Sequence, residues 1–302
     1  MDIKEIKYLD FGKCLQVSNG TVDFVATLDV GPRIIRFGFC GQQNEFCDTA
    51  PLRLQVGDDE WRLRGGHRLW CSPEIYPRTY VPDNKPVPFE LLENGVRLTW
   101  QVAWTQVKKD MEVTLSPEDN KVTVRHRITN KNAWDIRLAA WALSVMAPGG
   151  IEIIPQAIHE SNFLDGATGL RNVTMWSFAR MNDPRVYWGE KYITLRHDAT
   201  VEGNFKCGIS NEAGWAAYFN HGNLFINRFT VVPDAVYPDR GVSYETFTTD
   251  FMLEMETLSP LVTLQPDASV EHIETWELIS GVSKPEIDEQ QIDKFVAQYI
   301  RQ

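Results

Sequence analysis

Positive charge is in short supply: thirty Lys and Arg stand against forty-one Asp and Glu over 302 residues, a formal net charge of −11. No basic run concentrates what there is, so the surface field repels phosphate backbones and anionic lipid, and neither nucleic acid nor membrane is expected as a partner. Long apolar runs are missing as well. The N-terminal stretch MDIKEIKYLDFGKC is charged throughout and lacks the apolar core of a signal peptide, and no later stretch approaches a membrane span. A cytoplasmic protein is the expectation. Cysteine is scarce and odd in number, with five residues at 14, 40, 47, 71 and 207 and no CxxC pair, so no disulfide framework or zinc knuckle is indicated. Phosphate loop, nucleophile elbow and HExxH are all absent, and no spaced cluster of His, Asp and Cys suggests a metal site. No cofactor and no metal are therefore expected.

What is present is alternation. In 121–129, Val122, Val124, His126 and Ile128 alternate with Thr123, Arg125 and Arg127, as a half-buried strand requires. Residues 108–115 alternate too, and Ser116-Pro117-Glu118-Asp119-Asn120 between them supplies turn chemistry for a hairpin. Asn94-Gly95 signals a second hairpin with a type I′ turn, His221-Gly222-Asn223 a third, and Gln265-Pro266-Asp267 a fourth. Helical signal is confined to the tail. Ser283-Lys284-Pro285-Glu286 has capping-box spacing, and Ile292, Phe295, Val296, Tyr299 and Ile300 share one helical face, which predicts a helix over about 284–302. Turn signals recur from end to end without repeat or linker, so the fold class is all-β: one large antiparallel β-sandwich domain over 1–302 with a short C-terminal helix.

Two constellations could carry chemistry. Gly65-Gly66-His67-Arg68-Leu69-Trp70, with Glu74 close behind, offers a titratable ring, a bidentate donor and a stacking face. The second runs from Phe251 to Pro260, where alternation puts Glu254 and Glu256 on one strand face, as a catalytic base with a neighbour or as a solvated surface. Between them, the loop Pro73 to Pro88 holds five prolines with Tyr76, Arg78 and Tyr80. A long stiff loop of this kind either lines a site or covers a sheet edge. Ten Trp and nine Tyr suit a sugar groove, where apolar sugar faces stack on rings, although large β cores absorb aromatics equally well.

The order of GPRIIRFGF, GGHRLW, GWAAYF and FMLEMETLSPLVTLQPDASVEHIETWEL resembles the galactose mutarotase-like superfamily, and within it a bacterial family with GGHRLW and ETLSPL signatures. The resemblance spans about residues 10 to 281. It implies a large β-sandwich with sugar on the concave face, and activities that include aldose 1-epimerases. In those epimerases a glutamate takes the anomeric proton and a histidine protonates the ring oxygen; by resemblance Glu256 is that base. The histidine of the central strand has no counterpart in Ala139-Ala140-Trp141-Ala142-Leu143-Ser144, which leaves His67 or His159 to supply the acid. The resulting expectation is an epimerase-type isomerase on a monosaccharide or derivative, with Glu256 and His67 catalytic, Arg68 positioning an oxygen, and Trp70, Glu74, Tyr76, Arg78, His159 and Lys206 around the sugar. Its rivals are a non-catalytic sugar-binding protein and a lyase on an acidic sugar, in which Arg68, Arg78 or Lys206 neutralises a carboxylate. The epimerase expects His67, Arg68 and the loop around Tyr76 and Arg78 to border one pocket with Glu256; wide separation favours the binding protein, and a lyase instead brings Tyr76 or Tyr80 together with the cations.

Overall fold

The structure, a computed structural model, describes residues 1–158 and 170–300. Two antiparallel sheets lie face to face. The first runs, in spatial order, through strands Asp2–Lys7, Lys13–Ser18, Val22–Thr27, Ile34–Phe39, Gly66–Ser72, Ile136–Met146, Leu253–Leu258, Tyr244–Thr248, Phe205–Ile209 and Val173–Met175. The second runs through Val186–Trp188, Tyr192–Arg196, Ile151–Pro155, Trp215–Asn220, Asn223–Phe229, Ser269–Ser280, Lys121–Asn130, Val107–Leu115, Gly95–Val102 and Phe89–Leu92. A separate hairpin, Ala50–Val56 with Asp59–Arg64, lies outside both sheets.

Alternation decides what each strand buries. Of Leu253–Leu258, Leu253 and Met255 enter the core between the sheets, while Glu254, Glu256 and Leu258 take the outer face. The inter-sheet core is aromatic: Phe37, Phe46, Phe225 and Trp276 pack with ring centroids 5.3 to 6.4 Å apart. Truncating any one of these to alanine should cost about 3–5 kcal/mol, because the well-packed walls cannot collapse into the gap.

The hairpin expected around 116–120 forms with Val107 opposite Asn130. The one at Asn94-Gly95 forms too, but its turn is Glu93-Asn94, and neither Asn94 nor Gly95 has a positive φ, so the type I′ expectation fails there. Gly95 is needed for another reason: a Cβ on it would lie 1.9 Å from the Val113 carbonyl oxygen. The paired positive φ of a type I′ turn is found instead at His221 (55°) and Gly222 (74°). Gln265-Pro266-Asp267 does not close a hairpin. Val262–Leu264 pairs with Ile136–Met146 of the first sheet, and the chain then crosses to Ser269–Ser280 of the second.

The tail helix spans Glu289–Tyr299, later than the capping-box spacing indicates, because Asp288 is the residue whose carboxylate accepts from the free amides of Gln290 and Gln291. Its buried face, Ile292, Phe295 and Val296, covers Ile153, Trp215, Ala217, Leu224 and Ile226 on the outside of the second sheet. Among the described residues no helix is long and apolar enough to cross a membrane.

Candidate functional site

The outer face of the first sheet carries the most elaborate constellation. The free-standing hairpin leans over it, and Trp61 and Leu63 join Trp70, Trp141, Leu143 and Met252 in an apolar cluster. A cavity of about 250 Å³ remains, lined by Arg68, Trp70, Glu74, Tyr80, Trp141, Trp176, Lys206 and Glu254 among others. GGHRLW, the aromatic loop and the LEMETL strand therefore meet, but only through alternate residues.

Charge in this cavity is paired. Arg68 Nη1 donates to Glu254 Oε1 at 2.9 Å, and the guanidinium lies 4.2 Å from the Trp70 ring centroid. Lys206 Nζ sits 3.0 Å from Glu256 Oε2 and 2.9 Å from Glu245 Oε2, between the rings of Trp141 and Trp176 at 4.7 Å from each. Burial alone would pull the Lys206 pKa down, yet the Glu256 and Glu245 carboxylates raise it, so the amine holds its proton firmly. Burial in turn pushes Glu245 and Glu256 up, against the pull of Lys206. The Tyr80 hydroxyl donates to Glu74, and burial followed by that carboxylate raises the phenol, which stays protonated at neutral pH.

Glu256 does not face the cavity. It is completely buried, receiving Trp141 Nε1 at 2.9 Å as well as Lys206, so it braces the wall from behind, while Glu254 lines the open side. His67 is further away in kind, because adjacent strand residues point to opposite faces: Arg68 looks into the cavity and His67 into the sandwich interior. There His126 Nδ1 faces the His272 carbonyl at 3.0 Å and must carry a proton. The bare His126 Nε2 then accepts from His67 Nε2 at 2.7 Å, and His67 Nδ1 accepts from the Ser144 hydroxyl at 2.9 Å. Burial keeps the rings neutral, with His126 lowered to about 4 and His272 to about 3. Among the described residues, His67, His126 and Glu274 form the group whose donor atoms could meet one ion, lying within 4.8 Å of one another. The two imidazoles satisfy each other without one.

The glycines of GGHRLW serve packing. Gly65 and Gly66 have φ of 88° and 66°, and a Cβ would lie 2.0 Å from the Cys47 oxygen or 2.4 Å from the Ile34 oxygen, so the close approach is to backbone and not to a ligand. Of the other expected residues, Trp70, Glu74 and Lys206 line the cavity. Tyr76 is exposed and hydrogen-bonds the Gln55 carbonyl, Arg78 lines a different cavity, and His159 lies outside the described residues. Trp141, Trp176 and Glu245 were not singled out from sequence. Trp141 stands on the very strand where the family's histidine has no counterpart, and its large aromatic face is the signal that the sequence offers.

No protein-family model and no curated protein sequence matches the chain. Solved structures do. A galactose mutarotase-like protein from Lactobacillus casei superposes with a TM-score of 0.57 at 11% identity, covering 88% of this chain and 100% of that one. Another galactose mutarotase-like protein, from Clostridium acetobutylicum, gives 0.50 at 10% identity over 93% and 99%. The fold is that of the galactose mutarotase-like sandwiches. A TPR-domain containing protein from Parabacteroides distasonis gives a TM-score of 0.61 at 11% identity; 92% of this chain is covered, but it spans only 50% of that protein. At these identities the likeness extends to the mutarotase-like fold and no further.

Proposed function

We propose that this mutarotase-like sandwich is a carbohydrate-active protein whose outer-face cavity takes a neutral monosaccharide and promotes aldose 1-epimerase-type ring opening. The observation that carries the reading is the cavity itself: an aromatic wall of Trp70, Tyr80, Trp141 and Trp176 beside two cations that are already paired. Aromatic rings meet the apolar face of a sugar, while the rims of the Arg68–Glu254 and Tyr80–Glu74 pairs meet hydroxyls. In this cavity an acidic sugar would find no free cation, since Arg68 and Lys206 each hold a carboxylate and Arg78 lines a different cavity, so here the lyase reading loses its electrostatic basis.

In this reading Glu254, not the sealed Glu256, accepts the anomeric hydroxyl proton, and the Tyr80–Glu74 pair returns a proton to the ring oxygen as the C1–O5 bond breaks. One observation favours a second reading, binding without turnover: none of the described residues lining the cavity is a histidine, and both Tyr80 and Lys206 hold their protons tightly.

Saturation-transfer NMR with a panel of neutral aldoses, paired with anomer-exchange spectra of each aldose that binds, tests both. Faster exchange that disappears in Glu254→Gln, at aldose concentrations that still saturate the variant, supports the epimerase. Binding with no acceleration selects the second reading, and no binding of any neutral aldose overturns both.

A further inference from the structure

A second cavity, of about 450 Å³, opens where the two sheets part, between strands Gly95–Val102 and Val107–Leu115 of one and Ile136–Met146 of the other. Three tryptophans (Trp100, Trp104 and Trp134) and three cations (Arg78, Lys109 and Arg137) line it, with no Asp or Glu among its described lining residues. In a chain of net charge −11 this is an inverted local composition. Trp104 and Trp134 are 57% and 65% exposed, so large rings stand open at its mouth.

Lys109 is the decisive group. Six Lys and Arg side chains are buried among the described residues: Arg33, Arg36, Arg68, Lys109, Arg185 and Lys206. Five of them have a carboxylate oxygen within 3.1 Å, from Asp83, Asp23, Glu254, Asp183 and Glu245 respectively. Lys109, only 8% exposed, has none among the described residues; its Nζ donates to the Leu69 carbonyl at 3.1 Å and lies 5.2 Å from the Trp100 ring centroid. Burial accordingly lowers its pKa. A buried ammonium with no carboxylate in contact is costly, and the same amine opposite an anion in a low-dielectric pocket is less so. Arg78, on the same wall, has a buried Nε with no partner.

We propose that this cavity is a second ligand site, for a small organic carboxylate whose charged head meets Lys109 and whose flat apolar body lies among Trp100, Trp104 and Trp134. Arg78 and Arg137 add attraction at the mouth. The site is independent of the sugar reading and shares none of its cavity's charged pairs.

Titration calorimetry of the full chain with phenylacetate and with phenylacetamide tests it, the two probes differing in charge and hardly at all in shape. Saturable phenylacetate binding, with the amide at least tenfold weaker, is expected of the native protein. In Lys109→Met, which keeps the apolar stem, that preference should vanish. If neither probe saturates, if the amide binds as well as the acid, or if the preference survives in Lys109→Met, the proposal is wrong. Should Lys109→Met fail to fold, Arg137→Gln at an exposed position must still weaken the acid and leave the amide unchanged; equal effects on both probes overturn the assignment.

Discussion

Replacing Glu152 by glutamine should flatten the dependence of stability on pH without unfolding the protein. Glu152 lies on strand Ile151–Pro155 and is completely buried between the sheets, where Tyr244 Oη donates to it at 2.5 Å and Thr246 Oγ1 at 2.6 Å. Burial outweighs these two hydrogen bonds, and the pKa rises from 4.5 to about 8. A folded-state pKa above the unfolded one means that the native protein keeps a proton which the unfolded chain has released. The stabilisation is therefore complete below about pH 4.5 and is lost as pH climbs through about 8. A gap of about 3.5 pH units at about 1.4 kcal/mol each amounts to about 5 kcal/mol in all. Between pH 6 and pH 8 the loss should be about 2 kcal/mol. Glutamine has nearly the same shape and never ionises, so it removes this term and leaves the other titrations in place. Urea unfolding of both proteins at pH 6, 7 and 8, with equal m-values as the check on compactness, reads the difference directly. Two parallel profiles would show that the carboxyl does not enter the interior protonated, and the reasoning would fail.

Glu254→Gln should weaken sugar binding at least tenfold, about 1.4 kcal/mol, because it alters a group lining the cavity. Glu256→Gln should instead lower the unfolding free energy by about 3 kcal/mol, since it breaks a buried pair that Glu245 only partly replaces; calorimetry and denaturant melts separate the two effects, and equal losses of affinity would contradict the placement. In nitrogen-15 spectra of the imidazoles, His126 and His272 should show no titration between pH 5.5 and 8, as neutral rings lowered to about 4 and about 3 require; a midpoint near 6.5 for either would mean a solvated ring. Asp288→Ala should destabilise the tail helix by about 1 kcal/mol, seen as faster amide exchange at Gln290 and Gln291, the two amides that the Asp288 carboxylate caps.

The fold was legible because its signals are local and repeated. Alternation in 121–129 and its partner, the turn chemistry at 116–120 and the glycine at 222 each need only a few neighbouring residues to act. Less local decisions were misread where two causes share one residue type. Gly95 marks a turn in sequence, yet in the structure it is a point where one backbone passes over another. Asp288 outcompetes the earlier capping-box spacing because a helix begins where its free amides find an acceptor, and spacing alone does not say which candidate that will be.

The candidate site shows a different boundary between what sequence carries and what it does not. Period two already separates His67 from Arg68, so their assignment to opposite faces was available from six letters; reading them as one cluster treated adjacency along the chain as adjacency in space. The distinction between Glu254 and Glu256 was not available in that way. The two share a face, and what divides them is depth: Lys206 from strand Phe205–Ile209 and Trp141 from strand Ile136–Met146 close over Glu256 and leave Glu254 on the cavity wall. Those partners lie 50 and 115 residues away in the chain. A strand's own pattern fixes which way its side chains point, whereas solvent access is decided by neighbours brought in by the sheet order. A motif-based assignment of a base is therefore safest where the motif's neighbours in the sheet are also in the motif, and Glu256 is a residue whose neighbours were not.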